Sequence, residues 1–178
     1  MKKIFAAFTI LVMIFTAAAA FAQEADVPTF TYGVQFHMDI DQVMKLVPMT
    51  QYEIESEETQ GGVMFRNIEY EKETDISGLI AQIKYLFVRN SLVAIRLDIE
   101  DDTGYESIRA ILTETYGTAV PFDAAQIGNG RYALDDNGDL RDCREMIVSG
   151  GLTIVLEQDG DGDVDVTFLD TTAAYINS

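Results

Sequence analysis

An acidic segment near the end of the chain carries residues of the type and spacing that bind hard cations. Four aspartates stand there at alternate positions: Asp159, Asp161, Asp163 and Asp165. Calcium prefers several carboxylate oxygens, and the ligands of an EF-hand loop have a similar spacing. The glycine expected at the sixth position is Val164, however, and the segment joins two predicted strands. The alternatives are a calcium site and a solvated hairpin tip of good turn-forming residues, of which we favour the second.

Few other residues have the types and spacing needed for catalysis. His37 is the only histidine of the chain, and no serine or cysteine motif accompanies it. The sequence contains neither a nucleophile elbow nor a pair of metal-binding histidines. Carboxylates are so frequent that no pair stands out for acid/base work. We therefore predict no catalytic residue and no cofactor, and calcium is the one alternative left open. A non-enzymatic protein is favoured, and an uncharacterised hydrolase is a second alternative.

The first 22 residues predict an exported protein. Lys2 and Lys3 precede a short apolar run, which ends in small residues up to Ala22. This pattern is typical of a signal peptide cleaved after Ala22. A membrane-spanning helix would need about 20 apolar residues with stop-transfer flanks, and those flanks are missing. We expect residues 1–22 to be removed and residues 23–178 to form a single domain, periplasmic or extracellular, that inserts into no membrane.

The composition limits the partners of this domain. The 178-residue chain has 12 basic and 30 acidic residues, and loss of two lysines with the signal peptide would change its net charge from −18 to −20. Such a surface repels phosphate backbones and anionic lipids, which argues against nucleic acid as a partner. With Cys143 as the only cysteine, no internal disulfide can form. We expect Cys143 to be a small buried side chain.

Two helices are predicted from apolar spacing and capping signals. Ile40, Val43, Met44 and Val47 follow the i, i+3, i+4, i+7 pattern, which predicts a helix over residues 39–47. It would begin at Asp39, with Gln42 completing a capping box. A second helix would run from Thr103, as N-cap, to the residue before Gly117.

The remaining segments predict strands joined by short turns. Residues 79–88 are apolar on both faces, whereas residues 93–99 alternate, and the turn at 89–91 would join them as a hairpin. Further strands are expected at 63–71, 146–148, 152–158 and 164–169, and residues 51–60 could begin as an edge strand. An Asn-Gly turn at 137–138, flanked by residues 131–134 and by the segment from Leu140 onward, predicts another hairpin.

Together these elements predict an α+β fold. Short links between strands imply an antiparallel sheet of hairpins with two helices packed on one face. The order of elements hints at two half-repeats, 36–99 and 104–170. The sheet face without helices could bind another protein, and the aromatic candidates for this face are Tyr70, Tyr85 and Phe87. The alternative is a place in the core, which we favour for any one of them.

Several segments resemble a group of small exported bacterial proteins. They are the stretch from Tyr32 to Val43, residues 85–95, and the helix from Tyr105 to Gly117. This group resembles the β-lactamase-inhibitor-protein-like fold, shared with the outer-membrane assembly lipoproteins of the SmpA/OmlA kind. The resemblance implies a protein-binding or envelope-associated module. The chain lacks the disulfides of the inhibitors and the lipidated cysteine of the lipoproteins, so no binding residue can be transferred.

Overall fold

A computed structural model describes residues 30–47, 52–60, 63–76, 79–99, 104–134 and 140–171. The helices are α1 Ile40–Leu46, α2 Tyr105–Tyr116 and α3 Ala124–Ile127, with 3-10 segments at Thr31–Gly33 and Gly128–Ala133. The strands are β1 Tyr52–Gln60, β2 Val63–Ile76, β3 Leu79–Val88, β4 Ser91–Ile99, β5 Val120–Pro121, β6 Cys143–Ser149, β7 Leu152–Gln158 and β8 Val164–Asp170. The predicted signal peptide, the Asn-Gly turn and the last seven residues lie outside the described part.

All eight strands form one antiparallel sheet in the order β1-β2-β3-β4-β8-β7-β6-β5. The first half of the chain supplies α1 and strands β1 to β4, and the second half supplies α2 and strands β5 to β8. The two halves meet where β4 pairs with β8. The predicted α+β class is confirmed, and each half of the chain places a helix before four strands.

Helix α1 begins as the capping signal predicts. The Asp39 side chain accepts a hydrogen bond from the Gln42 backbone N–H, and the Gln42 side chain accepts one from the Asp39 N–H. Two backbone donors that the helix itself cannot satisfy are thereby paired. Val43 and Val47 point into the core.

Helix α2 begins differently from the prediction. Its N-cap is Gly104, which makes no side-chain capping bond, and Thr103 lies outside the described residues. Gly117 follows the helix with φ 117°, a conformation that favours glycine. Ile108 and Leu112 are the buried residues of this helix.

The hairpin of β3 and β4 closes at Arg89 and Asn90, which have φ angles of 52° and 64°. Two consecutive left-handed residues give the turn whose twist matches that of paired strands. The predicted hairpin is therefore confirmed, and β4 begins two residues earlier than the alternation suggests.

The sheet has an apolar cluster on each face. Side chains alternate between faces along a strand, so Ile83, Tyr85 and Phe87 lie on one face and Leu86 and Val88 on the other. Helices α1 and α2 pack on the first face through the residues named above. We call this the helix face.

The other face is partly covered by the segment from Ile127 to Leu134, which belongs to the smaller cluster. We call this second face of the sheet the polar face, because the part that the segment leaves uncovered carries charged residues. Residues 131–134 were predicted to flank a hairpin, but 131–133 form part of a 3-10 segment. The prediction of a strand there is wrong, since this segment packs on the sheet instead of extending it.

No helix within the described ranges is long and apolar enough to span a membrane.

Candidate functional site

A row of charged side chains crosses the polar face at the centre of the sheet. Strand register places Asp98 of β4 opposite Asp165 of β8, and Asp165 opposite Glu157 of β7. The next row carries Lys84 of β3 opposite Arg96 of β4. Because residues directly opposite on paired strands are close neighbours, three carboxylates and two cations share one small area.

Arg96 holds this cluster together. Its Nη2 atom lies 2.6 Å from Oδ2 of Asp165 and 3.5 Å from Oε2 of Glu157. Its Nη1 atom donates a hydrogen bond to the backbone carbonyl of Leu134. One guanidinium therefore connects β4, β8 and the segment that covers the neighbouring part of the face. A planar group with five donors is suited to such a junction, and a lysine could not replace it.

Glu157 is the most buried charged residue of the cluster, with an exposure of 5%. Its Oε1 atom accepts a hydrogen bond of 2.9 Å from the hydroxyl of Thr167, which is itself fully buried. Burial raises the pKa of Glu157 from 4.5 to about 7, although Arg96 and Thr167 act in the opposite direction. Desolvation dominates because burial in a medium of low polarity penalises the charged form.

The pKa of Arg96 is also raised, although burial by itself would lower it. The hydrogen bond to Asp165 and the charges of Glu157 and Asp165 favour the protonated guanidinium. The pKa values of Arg96 and Glu157 are both raised because the two groups have different neighbours. Asp165 is within hydrogen-bond distance of Arg96 and stabilises its charge, whereas Glu157 lies farther from Arg96 and its burial dominates. Asp165 is thus the counterion of Arg96, and Glu157 remains a carboxyl that changes charge near neutral pH.

A second ionic contact lies on the helix face. Arg109 of α2 binds Glu145 of β6 through two of its nitrogens, and the Tyr105 hydroxyl donates to the same carboxylate at 3.1 Å. The Arg109 hydrogen bond lowers the pKa of Glu145, and burial followed by the Glu145 contact raises that of Tyr105. These contacts fix α2 on the sheet.

His37 lies close to a buried acidic residue at the end of β8. Its Nε2 atom is 2.9 Å from Oδ2 of Asp170, the last residue of β8. Asp170 is 4% exposed. Backbone hydrogen bonds link the His37 N–H to Leu92 and the Leu92 N–H to Met38. The side chain and the backbone both attach the segment before α1 to the sheet, which gives His37 a structural role.

The acidic loop after β7 is organised by one carboxylate. Oδ1 of Asp159 accepts hydrogen bonds from the backbone N–H groups of Asp161, Gly162 and Asp163, at 2.8 to 3.0 Å. Asp165 lies beyond the loop and binds Arg96. The described structure therefore does not bring the four predicted calcium ligands together, and within the described residues no three His, Cys, Asp or Glu side chains are grouped as metal ligands. Calcium binding stays the alternative that the sequence leaves open beside a solvated hairpin tip.

Two of the three aromatic candidates for a binding face lie in the core. Tyr85 and Phe87 are 1% and 2% exposed and belong to the core under the helices. For these two residues the favoured alternative, a place in the core, is confirmed, and they are excluded as part of an open binding face because both lie on the face that α1 and α2 cover. The Tyr70 backbone pairs with Ile83, and its side chain is outside the described part. Cys143 is partly buried and packs against the smaller cluster.

Sequence reasoning did not single out Arg96, Asp98 or Glu157. The signal for the first two was present, since both occupy the polar positions of the alternating strand β4. Nothing local marks Glu157, which ends an apolar run. Its burial depends on which strands lie beside β7.

Protein-family models, curated proteins and solved structures were each compared with the chain, and none of the three comparisons gave a match.

Proposed function

We propose that this protein is an exported, non-enzymatic module that binds another protein through the polar face of its sheet. The observation that carries the proposal is the charged cluster of Arg96, Asp98, Asp165 and Glu157 on the central strands. Central strands are where apolar side chains stabilise a fold best, and buried ionic groups are often less stabilising than apolar residues of the same size. The presence of charged residues on these central strands is therefore better explained by recognition of a partner than by stabilisation of the fold.

The geometry of the cluster supports a rigid binding surface. Its side chains stand on paired strands and are held by defined contacts: Arg96 by Asp165, and Glu157 by Thr167. Preorganised charges lose little conformational entropy on binding, which favours affinity. Asp98 and Asp165 are half-buried, so each can contact a partner from the surface. Charge complementarity at such a site sets which partner is accepted.

The chemistry of the partner follows from the charge balance. The whole chain carries a net charge of −18, and the row itself contains three carboxylates. A basic protein surface would be attracted over a long range and would find acceptor oxygens on arrival. The resemblance to exported proteins that bind other proteins is in line with this role, and the signal peptide pattern supports an envelope or extracellular location.

A capture experiment with matched variants tests the proposal. Residues 23–178 are immobilised and exposed to an envelope extract in low salt, and the captured proteins are identified by mass spectrometry. We expect Asp98→Arg, on the polar face, to lose the captured partner. Glu114→Arg, on the exposed side of α2, makes the same change of charge and should retain it. Circular dichroism checks that both variants are folded.

Two results would contradict the proposal. One is equal loss of the partner in both variants, because net charge alone would then explain capture. The other is a partner bound equally well in low and in high salt, because an interface built on exposed charges weakens as salt screens them.

A further inference from the structure

The two edges of the sheet differ greatly in length. At one edge β5 has two residues, Val120 and Pro121, and proline has no backbone N–H to offer a new strand. At the other edge β1 has nine residues, Tyr52–Gln60. Among the described residues β2 is the only strand that pairs with β1. Within the described ranges, the outer side of β1 is therefore the longer of the two rows of backbone donors and acceptors at the sheet edges.

The second part of β1 has the regularity that strand addition needs. The register with β2 shifts between Ile54 and Ser56, as at a bulge, and then runs without interruption to Gln60. A bulge twists the strand locally and disturbs pairing. The segment from Ser56 to Gln60 continues the regular sheet up to its outer edge.

The sequence of β1 determines which strand could pair there. β1 contains four glutamates and no basic residue. Like charges on directly opposed positions destabilise a strand pair, whereas opposite charges stabilise it. Two β1 edges would thus repel each other, which disfavours self-association through this edge. An extended basic segment would gain both the backbone hydrogen bonds and the charge pairs.

We propose that the outer edge of β1 binds an extended, basic peptide segment of a partner protein by strand addition. In this mode the main-chain hydrogen bonds provide affinity and the side chains provide selectivity. The proposal rests on the binding role proposed above, but it uses a different surface, the sheet edge in place of the polar face. A partner that contacts both surfaces would bind more tightly than one that contacts either alone.

The test uses a defined peptide and residues 23–178 of the protein. The probe is a nine-residue peptide that alternates lysine with valine or threonine, and its control carries glutamate at each lysine position. Binding is measured by fluorescence anisotropy, and hydrogen exchange locates the site. We expect the basic peptide to bind, the acidic one not to bind, and the amides of β1 to exchange more slowly in the complex.

Matched charge reversals separate edge binding from general attraction. Glu57→Lys with Glu58→Lys changes the edge, and Glu106→Lys with Glu114→Lys makes the same change of charge on α2. We expect the edge variant to bind the basic peptide about tenfold more weakly, because opposed charges select the strand. The α2 variant should bind within about twofold of the unchanged protein, since its charges are remote and screened.

Three outcomes would overturn the proposal: no binding of the basic peptide, equal weakening in the two variants, or protection located away from β1. Failure here is distinguishable from failure of the proposed function. If Asp98→Arg abolishes capture of an envelope partner while the peptide does not bind, the polar face is retained as the binding surface and the edge is excluded.

Discussion

Replacement of Glu157 by glutamine should make the free energy of unfolding less sensitive to rising pH. The folded protein holds the Glu157 proton until about pH 7, whereas the carboxyl of the unfolded chain loses it near its ordinary pKa of 4.5. Between these two values the folded state binds more protons than the unfolded state. The free energy of unfolding contributed by this group is therefore full below pH 4.5, falls as the pH rises to about 7, and is constant above that.

The magnitude follows from the difference in pKa. At 1.36 kcal/mol for each unit, ionisation of Glu157 lowers the free energy of unfolding by about 3 kcal/mol between pH 4 and pH 8. Only a small reduction for solvent screening applies, because the residue is 5% exposed. Glutamine cannot ionise, and its amide oxygen can still accept the Thr167 hydrogen bond. The stability of Glu157→Gln relative to the unchanged protein should therefore rise by about 3 kcal/mol over this range.

Urea denaturation at pH 4, 5, 6, 7 and 8 provides the assay, with the free energy of unfolding extrapolated to water. Comparison of two chains at each pH cancels the repulsion among the other carboxylates, since both chains carry them. Glu106→Gln, on the exposed side of α2, makes the same chemical change and is the control, and the rise measured for Glu157→Gln should exceed any change measured for it. A pH-independent difference for Glu157→Gln, or one that falls as the pH rises, would refute the reasoning.

Three further predictions concern the loop, the core and the start of the mature chain. Asp159→Ala removes the acceptor of three backbone hydrogen bonds and should lower the free energy of unfolding by about 1 to 2 kcal/mol, measured in urea; an unchanged value would exclude a structural role. Ile108→Ala leaves a cavity in the core of the helix face, and calorimetry should show a loss of about 2 to 5 kcal/mol, clearly larger than for the half-buried Ile111→Ala. N-terminal sequencing of exported protein should begin at Gln23; an uncleaved N-terminus would disprove the predicted signal peptide.

The elements predicted best were those specified by neighbouring residues. The capping box of α1 uses residues three positions apart, and the β3–β4 turn needs only two adjacent left-handed residues. Their interactions are complete within a short segment, so the sequence contains the whole signal. Residues 131–134 were predicted wrongly as one side of a hairpin, because their conformation depends on the sheet below them, where Leu134 lies in one apolar cluster with Leu169.

The candidate site was harder to predict than the fold. Tyr85 and Phe87 were candidates for the open face as well as for the core, because a strand that is apolar on both sides does not show which side the helices cover. Arg96 and Asp165 are 69 positions apart. Their contact exists because β4 pairs with β8, which are not consecutive strands.

By itself, the sequence determined the α+β class, the two main helices, the β3–β4 and β7–β8 hairpins and the strongly acidic charge. These depend on composition and on periodicities of two and 3.6 residues, which are local properties of a chain. The tertiary structure decided the order of the strands, and with it the polar face, the buried position of Glu157 and the place of β1 at the sheet edge. Register between distant strands results from the packing of the whole core, and no short segment of the sequence encodes it.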